Sequence, residues 1–248
     1  MEKSEICANF VRESNKIVAL TGAGISTAAG IPDFRGPQGI YTTHKYDPEK
    51  VFDILHFSQD PAPFYDYARD FLRLLEGIKP TFTHRFFAKL EEQGKMLGVI
   101  TQNIDGLHEK AGSHRVINLH GSIKYAYCLD CGRYYDLEAM KEKIFKEKVP
   151  RCDTCGGILK PDIVFFGEAV KDFNKAEELV YSSDLMFVVG TSCKVYPANM
   201  LLDFARGKIV FVGKGDIRVP CSLNLIVSED IDTFFREVSG HIEDISFE

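Results

Sequence analysis

Five apolar runs, spaced widely along the chain, constrain the fold more than any other feature of this sequence. They are KIVAL (16–20), MLGVI (96–100), RVINL (115–119), DLMFVV (184–189) and KIVFV (208–212). Nearly continuous apolar runs of this length are typical of strands that are buried on both faces of a parallel sheet. Because ligands bind beyond the carboxyl ends of such strands, we expect the small and polar segments TGAG, TQNID, HGS, GTS and GKG that follow the runs to line one edge of the sheet.

Four cysteines form two C-x-x-C pairs, Cys128 with Cys131 and Cys152 with Cys155, with twenty residues between the pairs. Two thiolates at this spacing in a tight turn can face one metal ion, and a second pair completes a tetrahedral site of four sulfurs. Since the protein supplies all four ligands, no position is left for water or substrate. The predicted zinc is therefore structural.

The apolar runs and the cysteine pairs together predict the organisation of the chain. We expect an α/β fold, a Rossmann-like parallel sheet domain with a smaller zinc-ribbon plus helical insertion domain. The spacing of apolar residues predicts amphipathic helices over 83–93 and 229–238. The predicted boundaries are residues 10–35, 81–120 and 163–240 for the sheet domain, residues 36–80 for the helical insertion and residues 121–162 for the zinc ribbon.

Composition disfavours several classes of function. The net charge of −6 argues against sequence-independent binding to nucleic acid, which needs clustered Lys and Arg to displace counterions. No apolar run approaches the ~20 residues of a membrane helix, and the first residues do not resemble a signal peptide. We therefore expect a cytoplasmic protein without a membrane or nucleic-acid partner, whose seven cysteines are thiols or metal ligands. We also expect a monomer.

The stretch TGAGISTAAGIPDFRG (21–36) is similar to a dinucleotide-binding loop but departs from it. Gly22 and Gly24 are followed by Thr27 at the place of the third glycine in the G-x-G-x-x-G pattern. A turn and a short helix beginning near Ser26 would aim backbone N–H groups at a pyrophosphate. An oxidoreductase would next supply a strand and an acidic residue for the ribose, whereas this chain has PDFRGPQGIYTTHKY. The loop suits NAD, but hydride-transfer architecture does not follow it.

Several blocks of the sequence, in this order, resemble the signature blocks of the sirtuins, which are NAD-dependent protein-lysine deacylases. The blocks are GAGIST..GIPDFRG, TQNID, LHGS, the two C-x-x-C pairs, PDIVFFGE and GTS.KVYPA. The likeness runs from about residue 10 to residue 240. It therefore covers nearly the whole chain.

The resemblance implies that NAD is a consumed co-substrate. In sirtuins the acyl-lysine carbonyl oxygen attacks C1' of the ribose as nicotinamide leaves, and the products are nicotinamide, free lysine and O-acyl-ADP-ribose. By resemblance, Phe34 is a mobile ring that shields the reactive ribose, while Asp33 and Arg35 order its loop. The residues that the resemblance places at NAD are Gly22, Ala23, Gly24, Ser26, Thr27, Asp33, Phe34, Arg35, Gln102, Ile104, Asp105, Gly190, Thr191, Ser192, Gly213, Asp230 and Ile231.

Asn103 and His120 are the candidate catalytic residues. Asn103, together with Asp105, can offer oxygen acceptors to the nicotinamide amide. His120 follows a predicted strand, and an imidazole can accept a proton near neutral pH. The resemblance implies that His120 deprotonates the ribose after nicotinamide leaves. We interpret the runner-up candidates His84 and His108 as structural.

For the acyl-lysine protein or peptide, the resemblance implies two exposed edges, formed by DIVFFGE and CKVYP. The substrate backbone would add between them as a strand, so that backbone pairing gives affinity while reading little sequence. The residues expected to line the acyl-lysine tunnel and its mouth are Val164, Phe165, Phe166, Gly167 and Val195.

Two positions depart from the pattern of the family. Gly213 stands where many sirtuins have an Asn that binds the adenosine ribose, and the loss of that hydrogen bond of ~1 kcal/mol weakens NAD binding unless Lys214 or a backbone group compensates.

The second departure concerns the acyl group. Sirtuins that favour succinyl or malonyl groups have a Tyr-x-x-Arg pair, whereas here Tyr41 is followed three residues later by His44. We therefore expect acetyl or another neutral short acyl group, since a histidine binds an acidic group only when it is protonated.

Two alternative functions remain. A mono-ADP-ribosyltransferase would attack the same ribose carbon with a different nucleophile, and a catalytically silent module would sense NAD or bind partners through the zinc ribbon. The peptide-edge block and the retention of His120 and Asn103 favour the deacylase.

Overall fold

The structure, a computed structural model, describes residues 2–33, 43, 45–214 and 222–242. In chain order its strands are β1 (Ile17–Thr21), β2 (Met96–Thr101), β3 (Val116–Asn118), β4 (Gly121–Cys128), β5 (Tyr134–Asp136), β6 (Leu159–Ile163), β7 (Leu185–Val189), β8 (Lys208–Val212) and β9 (Leu225–Val227). Six of them form a parallel sheet in the order β3-β2-β1-β7-β8-β9. The five strands predicted from the apolar runs are confirmed, as is the Rossmann-like α/β class.

Most of the helices lie between these strands along the chain, as the sequence predicts, whereas the first precedes β1 and the last follows β9. They are α1 (Lys3–Glu13), α2 (Pro48–Phe52), α3 (Ile54–Gln59), α4 (Ala62–Leu75), α5 (Phe82–Glu92), α6 (Leu107–Lys110), α7 (Leu137–Lys146), α8 (Phe173–Tyr181) and α9 (Ile231–Gly240), with 3₁₀ helices at Ala23–Ala29 and Ala198–Phe204. The amphipathic helices predicted over 83–93 and 229–238 are confirmed as α5 and α9. Each helix in the described part of the chain is too short or too polar to span a lipid bilayer.

The main sheet is covered on both faces. Ile17 and Ala19 of β1 pack in one apolar cluster, whereas Val18 and Leu20 pack in another. This division follows from the alternation of side chains along a strand. Helices α1, α5 and α9 contribute to the first cluster, and α8 with the second 3₁₀ helix contributes to the other.

The first turn of α5 is tied to α9. Asp232 of α9 accepts hydrogen bonds from the backbone N–H groups of Phe82, at 2.8 Å, and Thr83, at 3.0 Å. These N–H groups have no partner within their own helix. Phe86 of α5 packs on Phe235 of α9, with ring centroids 5.1 Å apart. The two helices therefore cover their face of the sheet as a unit.

The two insertions share a third apolar cluster. Strands β5, β4 and β6 form a separate antiparallel sheet in that order. Phe57 of α3 and Phe64 of α4 pack with Met140 of α7 and Leu159 of β6 in one buried cluster. This shared core is what a small domain formed by both insertions requires, while the exact domain boundaries stay a prediction.

The register of the central strands positions the candidate site. Thr21 pairs with Thr101 of β2 on one side and with Val189 of β7 on the other. Thr101 in turn pairs with Asn118 of β3. Since these strands end at the same level, the segments that follow them meet at the carboxyl edge of the sheet.

Two histidines are buried next to the main sheet. The rings of His84 in α5 and His108 in α6 lie 4.6 Å apart, and His108 Nε2 is 2.9 Å from Thr21 Oγ1. Among the residues that the structure describes, none forms a hydrogen bond with His84 Nε2 or His108 Nδ1. Burial lowers the pKa of His108 to about 3 and that of His84 well below its usual value. Both rings are therefore neutral near pH 7, which fits their interpretation as structural residues.

Candidate active site at the carboxyl edge of the sheet

The glycine loop after β1 packs directly against the loop after β7. The N–H of Gly22 donates to the Val189 carbonyl at 3.0 Å, and the N–H of Gly24 donates to the Gly190 carbonyl at 2.8 Å. A Cβ atom on Gly24 would lie 2.7 Å from the Cα of Gly190. Close backbone contact therefore explains both glycines of the loop.

This geometry corrects one expectation about the loop. The N–H groups of Gly22 and Gly24 are used by the neighbouring loop, so they do not point freely at a pyrophosphate. The short helix expected near Ser26 is a 3₁₀ helix that already begins at Ala23. Thr27 Oγ1 donates back to the Gly24 carbonyl at 2.9 Å, which closes this turn.

The TQNID segment after β2 is bonded to the glycine loop through its polar side chains. Asn103 is 8% exposed, and its Nδ2 donates to the Gly22 carbonyl at 3.1 Å and to Ser26 Oγ at 3.3 Å. With Nδ2 directed at these acceptors, Oδ1 is the atom of Asn103 that can accept a hydrogen bond from a ligand. Ser26 Oγ donates to Asp105 at 2.7 Å, and burial raises the pKa of the Asp105 carboxyl. Ile104 lies between them, partly buried against the small-domain core.

His120 is held at the same edge by Gln102. Its Nδ1 lies 2.9 Å from the Gln102 carbonyl oxygen, which can only accept a hydrogen bond. Nδ1 therefore carries the proton of the neutral ring, and Nε2 is left with the basic lone pair. Burial lowers the pKa of His120, with a smaller opposing effect from the Gln102 hydrogen bond. The ring is thus a neutral base at physiological pH.

Gln102 also connects this base to the loop after β7. Its Nε2 donates to Thr191 Oγ1 at 3.0 Å. Thr191 Oγ1 accepts a second hydrogen bond from the Cys193 N–H at 3.2 Å, while Ser192 is half-buried between them. The loops after three strands therefore form one hydrogen-bonded unit.

The residues after β8 and before α9 complete the far side of this edge. A Cβ atom on Gly213 would lie 3.1 Å from the Phe211 ring, so a larger residue here requires that ring to shift. Asp230 accepts a hydrogen bond from the Thr233 N–H at 3.0 Å as the N-cap of α9, and this bond lowers its pKa. Ile231 packs against the main core. The structure thus gives Asp230 and Ile231 clear roles in packing and capping.

The segment predicted to hold the peptide is bonded to His120. The N–H of Val164 donates to the His120 carbonyl at 2.8 Å, and the N–H of Phe166 donates to the Phe52 carbonyl at 2.7 Å. Phe166 is 52% exposed, and Gly167 has a positive φ of 93°. The segment is therefore hydrogen-bonded both to His120 and to the helical insertion.

Phe165 and Val195 occupy different environments along the predicted tunnel. Phe165 is 1% exposed and packs on Phe57 and Phe64, at centroid distances of 5.1 and 5.0 Å. Its ring therefore belongs to the small-domain core and does not lie open at a tunnel mouth. Val195 is half-buried in the segment after Ser192.

The four cysteines predicted as metal ligands are brought together. Their Sγ atoms all lie within 4.8 Å of one another. The pairs Cys128–Cys155 and Cys131–Cys152 have Sγ–Sγ distances of 3.4 and 3.6 Å, close to the ~3.8 Å that a tetrahedral site with Zn–S bonds of ~2.3 Å requires. Thiolate ligands and this spacing fit zinc.

Some predicted residues lie outside the described part of the chain, and one feature was missed. Phe34, Arg35, Tyr41 and His44 are outside the described residues, whereas Asp33 is the last residue described before them.

Sequence reasoning did not single out Lys160. The signal for it was a charged residue within the segment ILKPDI.

Comparison with known proteins agrees with this geometry. The profile of the Sir2 family matches residues 22–197. An NAD-dependent protein deacetylase of Sulfolobus acidocaldarius is 40% identical, over 99% of this chain and 97% of the relative. A protein of the same description from Thermotoga maritima is 42% identical, over 93% of this chain and 94% of the relative.

Solved structures lead to the same result. A Sir2 structure with a p53 peptide and NAD⁺ has a TM-score of 0.86 at 39% identity, over 97% of this chain and 98% of that one. Another, with a deacetylated p53 peptide and 3'-O-acetyl ADP-ribose, has a TM-score of 0.90 at 40% identity, over 97% and 99% of the two chains. Sequence, fold and the arrangement of the loops thus agree along nearly the whole chain, which therefore belongs to the Sir2 family, the sirtuins.

Proposed function

We propose that this protein is an NAD-dependent protein-lysine deacylase that removes acetyl or another neutral short acyl group. The observation that carries the proposal is the placement of His120. Its Nε2 is the basic nitrogen, its Nδ1 is bonded to the TQNID segment, and its carbonyl accepts a hydrogen bond from Val164 of the peptide edge. One base thus stands between the loops proposed for NAD and the segment proposed for acyl-lysine.

NAD supplies the ribose carbon that the acyl oxygen attacks and nicotinamide as the leaving group. Asn103 Oδ1 and Asp105 are proposed to bind the nicotinamide amide beside Ile104, and Gln102 to reach the ribose hydroxyls. His120 accepts a proton from a ribose hydroxyl, which requires it to be neutral. Phe34, which lies between Asp33 and Arg35 in the sequence, is proposed to exclude competing water from the reaction.

The remaining loop residues are proposed to bind the rest of NAD. On the phosphate side these are Gly22, Ala23, Gly24, Ser26 and Thr27. On the adenosine side they are Gly190, Thr191, Ser192, Gly213, Asp230 and Ile231. The glycines allow the loop after β1 to approach the loop after β7 closely, because side chains at Gly22 and Gly24 would collide with that second loop.

The acyl-lysine peptide is proposed to add as a strand between residues 164–167 and the segment around Val195. Val164, Phe166 and Gly167 are proposed to line the tunnel mouth, while Phe165 supports them from the core beneath. The N–H groups of Val164 and Phe166 already donate to His120 and Phe52 and do not pair with the peptide. The relatives' names support a protein substrate, since they are called protein deacetylases.

Zinc is proposed to be structural and held by Cys128, Cys131, Cys152 and Cys155. The sulfurs close around one point and leave no position for substrate. We also propose a cytoplasmic location. We further propose a monomer that binds neither nucleic acid nor membrane, in line with its net charge of −6.

The test is mass spectrometry of an acetyl-lysine peptide incubated with the protein, with and without NAD. Wild type should convert acetyl-lysine to lysine with O-acetyl-ADP-ribose as co-product, and His120→Ala should lose at least about 10²-fold in rate because the general base is missing. His114→Ala, which changes an exposed histidine, is the matched control.

Other outcomes point to other functions. Nicotinamide release with ADP-ribose left on protein would replace the deacylase with an ADP-ribosyltransferase. No NAD turnover over a panel of acyl groups would leave a silent binding module.

A further inference from the structure

Lys160 of β6 is a buried lysine next to the segment proposed to hold the peptide. Its side chain is 11% exposed, and burial lowers its pKa. Nζ lies 2.8 Å from the Ile163 carbonyl oxygen, 2.9 Å from Glu168 Oε2 and 4.4 Å from the centroid of the Phe165 ring. All three contacts are to residues 163–168, which we call the peptide-edge segment.

Glu168 closes this segment on itself. Its Oε2 accepts a hydrogen bond from the Phe165 N–H at 2.8 Å, and its own N–H donates to the Phe165 carbonyl at 3.0 Å. The carboxylate that pairs with Lys160 therefore also fixes the backbone in the middle of the segment. The ion pair consequently sets the shape of the edge.

The same segment is joined to the catalytic base. The Val164 N–H donates to the His120 carbonyl, one residue after the Ile163 carbonyl that accepts from Lys160. Lys171, just beyond the segment, forms an ion pair with Asp162, and its N–H donates to the Leu119 carbonyl at 2.9 Å. A displacement of the segment would therefore change its distance from His120.

This ion pair is a poor source of stability. Lys160 is buried, whereas the side chain of Glu168 is 31% exposed, so the cost of removing the lysine charge from water offsets an attraction that solvent partly screens. Both partners bond to the backbone of the same loop, so the main effect of the pair is to fix the position of that loop.

We propose that Lys160 is a positioning residue for the acyl-lysine peptide, which holds the peptide-edge segment at a fixed distance from His120 through Ile163 and Glu168. The inference rests on the proposed deacylase function. It predicts that neutralising Lys160 impairs peptide binding and leaves NAD binding intact, because none of its three contacts is to the NAD loops.

The test compares Lys160→Met with wild type in steady-state kinetics. Methionine keeps the apolar stem and removes the charge. We expect the KM for an acetyl-lysine peptide to rise about tenfold, as the loss of a charge-assisted hydrogen bond implies, and the KM for NAD to stay within about twofold. Lys160→Arg, which keeps the charge, should restore most of the peptide KM.

Lys143→Met is the matched control. Lys143 of α7 is also mostly buried, with a side chain 16% exposed, and it pairs with Asp153 at 2.6 Å and with Glu147 at 3.1 Å within the small domain. This variant removes both ion pairs without touching the peptide-edge segment, so its peptide KM should match wild type. A peptide KM that is equal in active Lys160→Met and wild type would overturn the proposal.

Hydrogen exchange gives a readout that does not depend on turnover. In Lys160→Met the amides of Val164 and Phe166 should exchange faster than in wild type, while amides of the main sheet stay unchanged. If wild type shows no NAD-dependent deacylation, the proposed function fails by itself, and exchange then decides about Lys160. Equal exchange at Val164 and Phe166 would overturn the positioning role.

Discussion

At the residue scale, His120 obtains its chemical state from its neighbours. The Gln102 carbonyl decides which nitrogen carries the proton, and burial decides over which pH range the ring is neutral. Burial disfavours the imidazolium ion, so the pKa lies below the ordinary value of ~6.5. The neutral form, which can accept a proton, therefore persists below that pH.

The pH dependence of deacylation follows from this shift. As pH falls, kcat/KM should decline only when His120 becomes protonated, with an apparent pKa below ~6.5. Initial rates from pH 5 to pH 8 would measure this decline of kcat/KM, with circular dichroism at each pH to confirm that the fold is intact. His114→Gln should have the same pH profile. A decline of kcat/KM with its midpoint at or above pH ~6.5 would contradict the assignment of His120 as the base.

At the element scale, the zinc ribbon consists of two copies of one turn. The Gly132 N–H donates to the Cys128 carbonyl at 2.9 Å, and the Gly156 N–H donates to the Cys152 carbonyl at the same distance. The two glycines have φ values of 71° and 76°, which glycine adopts at low cost. Each turn presents two sulfurs to one point, so the metal joins the two turns.

Removal of one ligand should therefore release the zinc. In Cys131→Ser we expect metal content to fall from about one zinc per chain to a small fraction of that, together with a lower melting temperature, because metal binding contributes folding free energy. Mass spectrometry of the metal content and thermal unfolding would measure both. Cys7→Ala changes a cysteine outside the cluster and should keep its zinc, whereas full zinc content in Cys131→Ser would contradict the four-sulfur site.

Elements with a strong local pattern could be predicted from the sequence, and contacts between elements could not. The run KIVAL identifies β1, but β9 has only three residues, and Ile226 in its centre is 47% exposed. Periodicity identifies α5, but the bonds from Asp232 to its first turn depend on how the chain folds back. The motif PDIVFFGE marks the peptide edge, yet only packing reveals that Phe165 points into the core while Phe166 points outward.

At the scale of the whole molecule, the main sheet domain buries two neutral histidines. The ring centroids of His84 and His108 lie 4.6 Å apart, so protonation of either ring places a charge in a buried site and next to the other ring. In the unfolded chain both have a pKa near 6.5, whereas in the folded protein the pKa of His108 is about 3. The unfolded state thus binds more protons between these pH values.

The fold should therefore lose stability as pH falls below ~6.5, by an amount on the order of a few kcal/mol once pH approaches 4. Chemical denaturation at pH 7, 6, 5 and 4 would measure the free energy of unfolding. His108→Gln should reduce the slope of stability against pH, because one titrating group is gone, and exposed His114→Gln should not. Equal slopes in all three proteins would mean that other groups govern acid unfolding.

The close contact between Gly24 and Gly190 has a consequence for recombination between homologous sequences. A Cβ on Gly24 would collide with Gly190, and a Cβ on Gly190 would lie 2.4 Å from the backbone nitrogen of Ile25. Neither glycine can be replaced first to make room for the other, so both positions, which are more than 160 residues apart in the chain, must keep glycine. A chimera between distant homologues should therefore fold only when it has glycine at both positions, whichever parent supplies each segment.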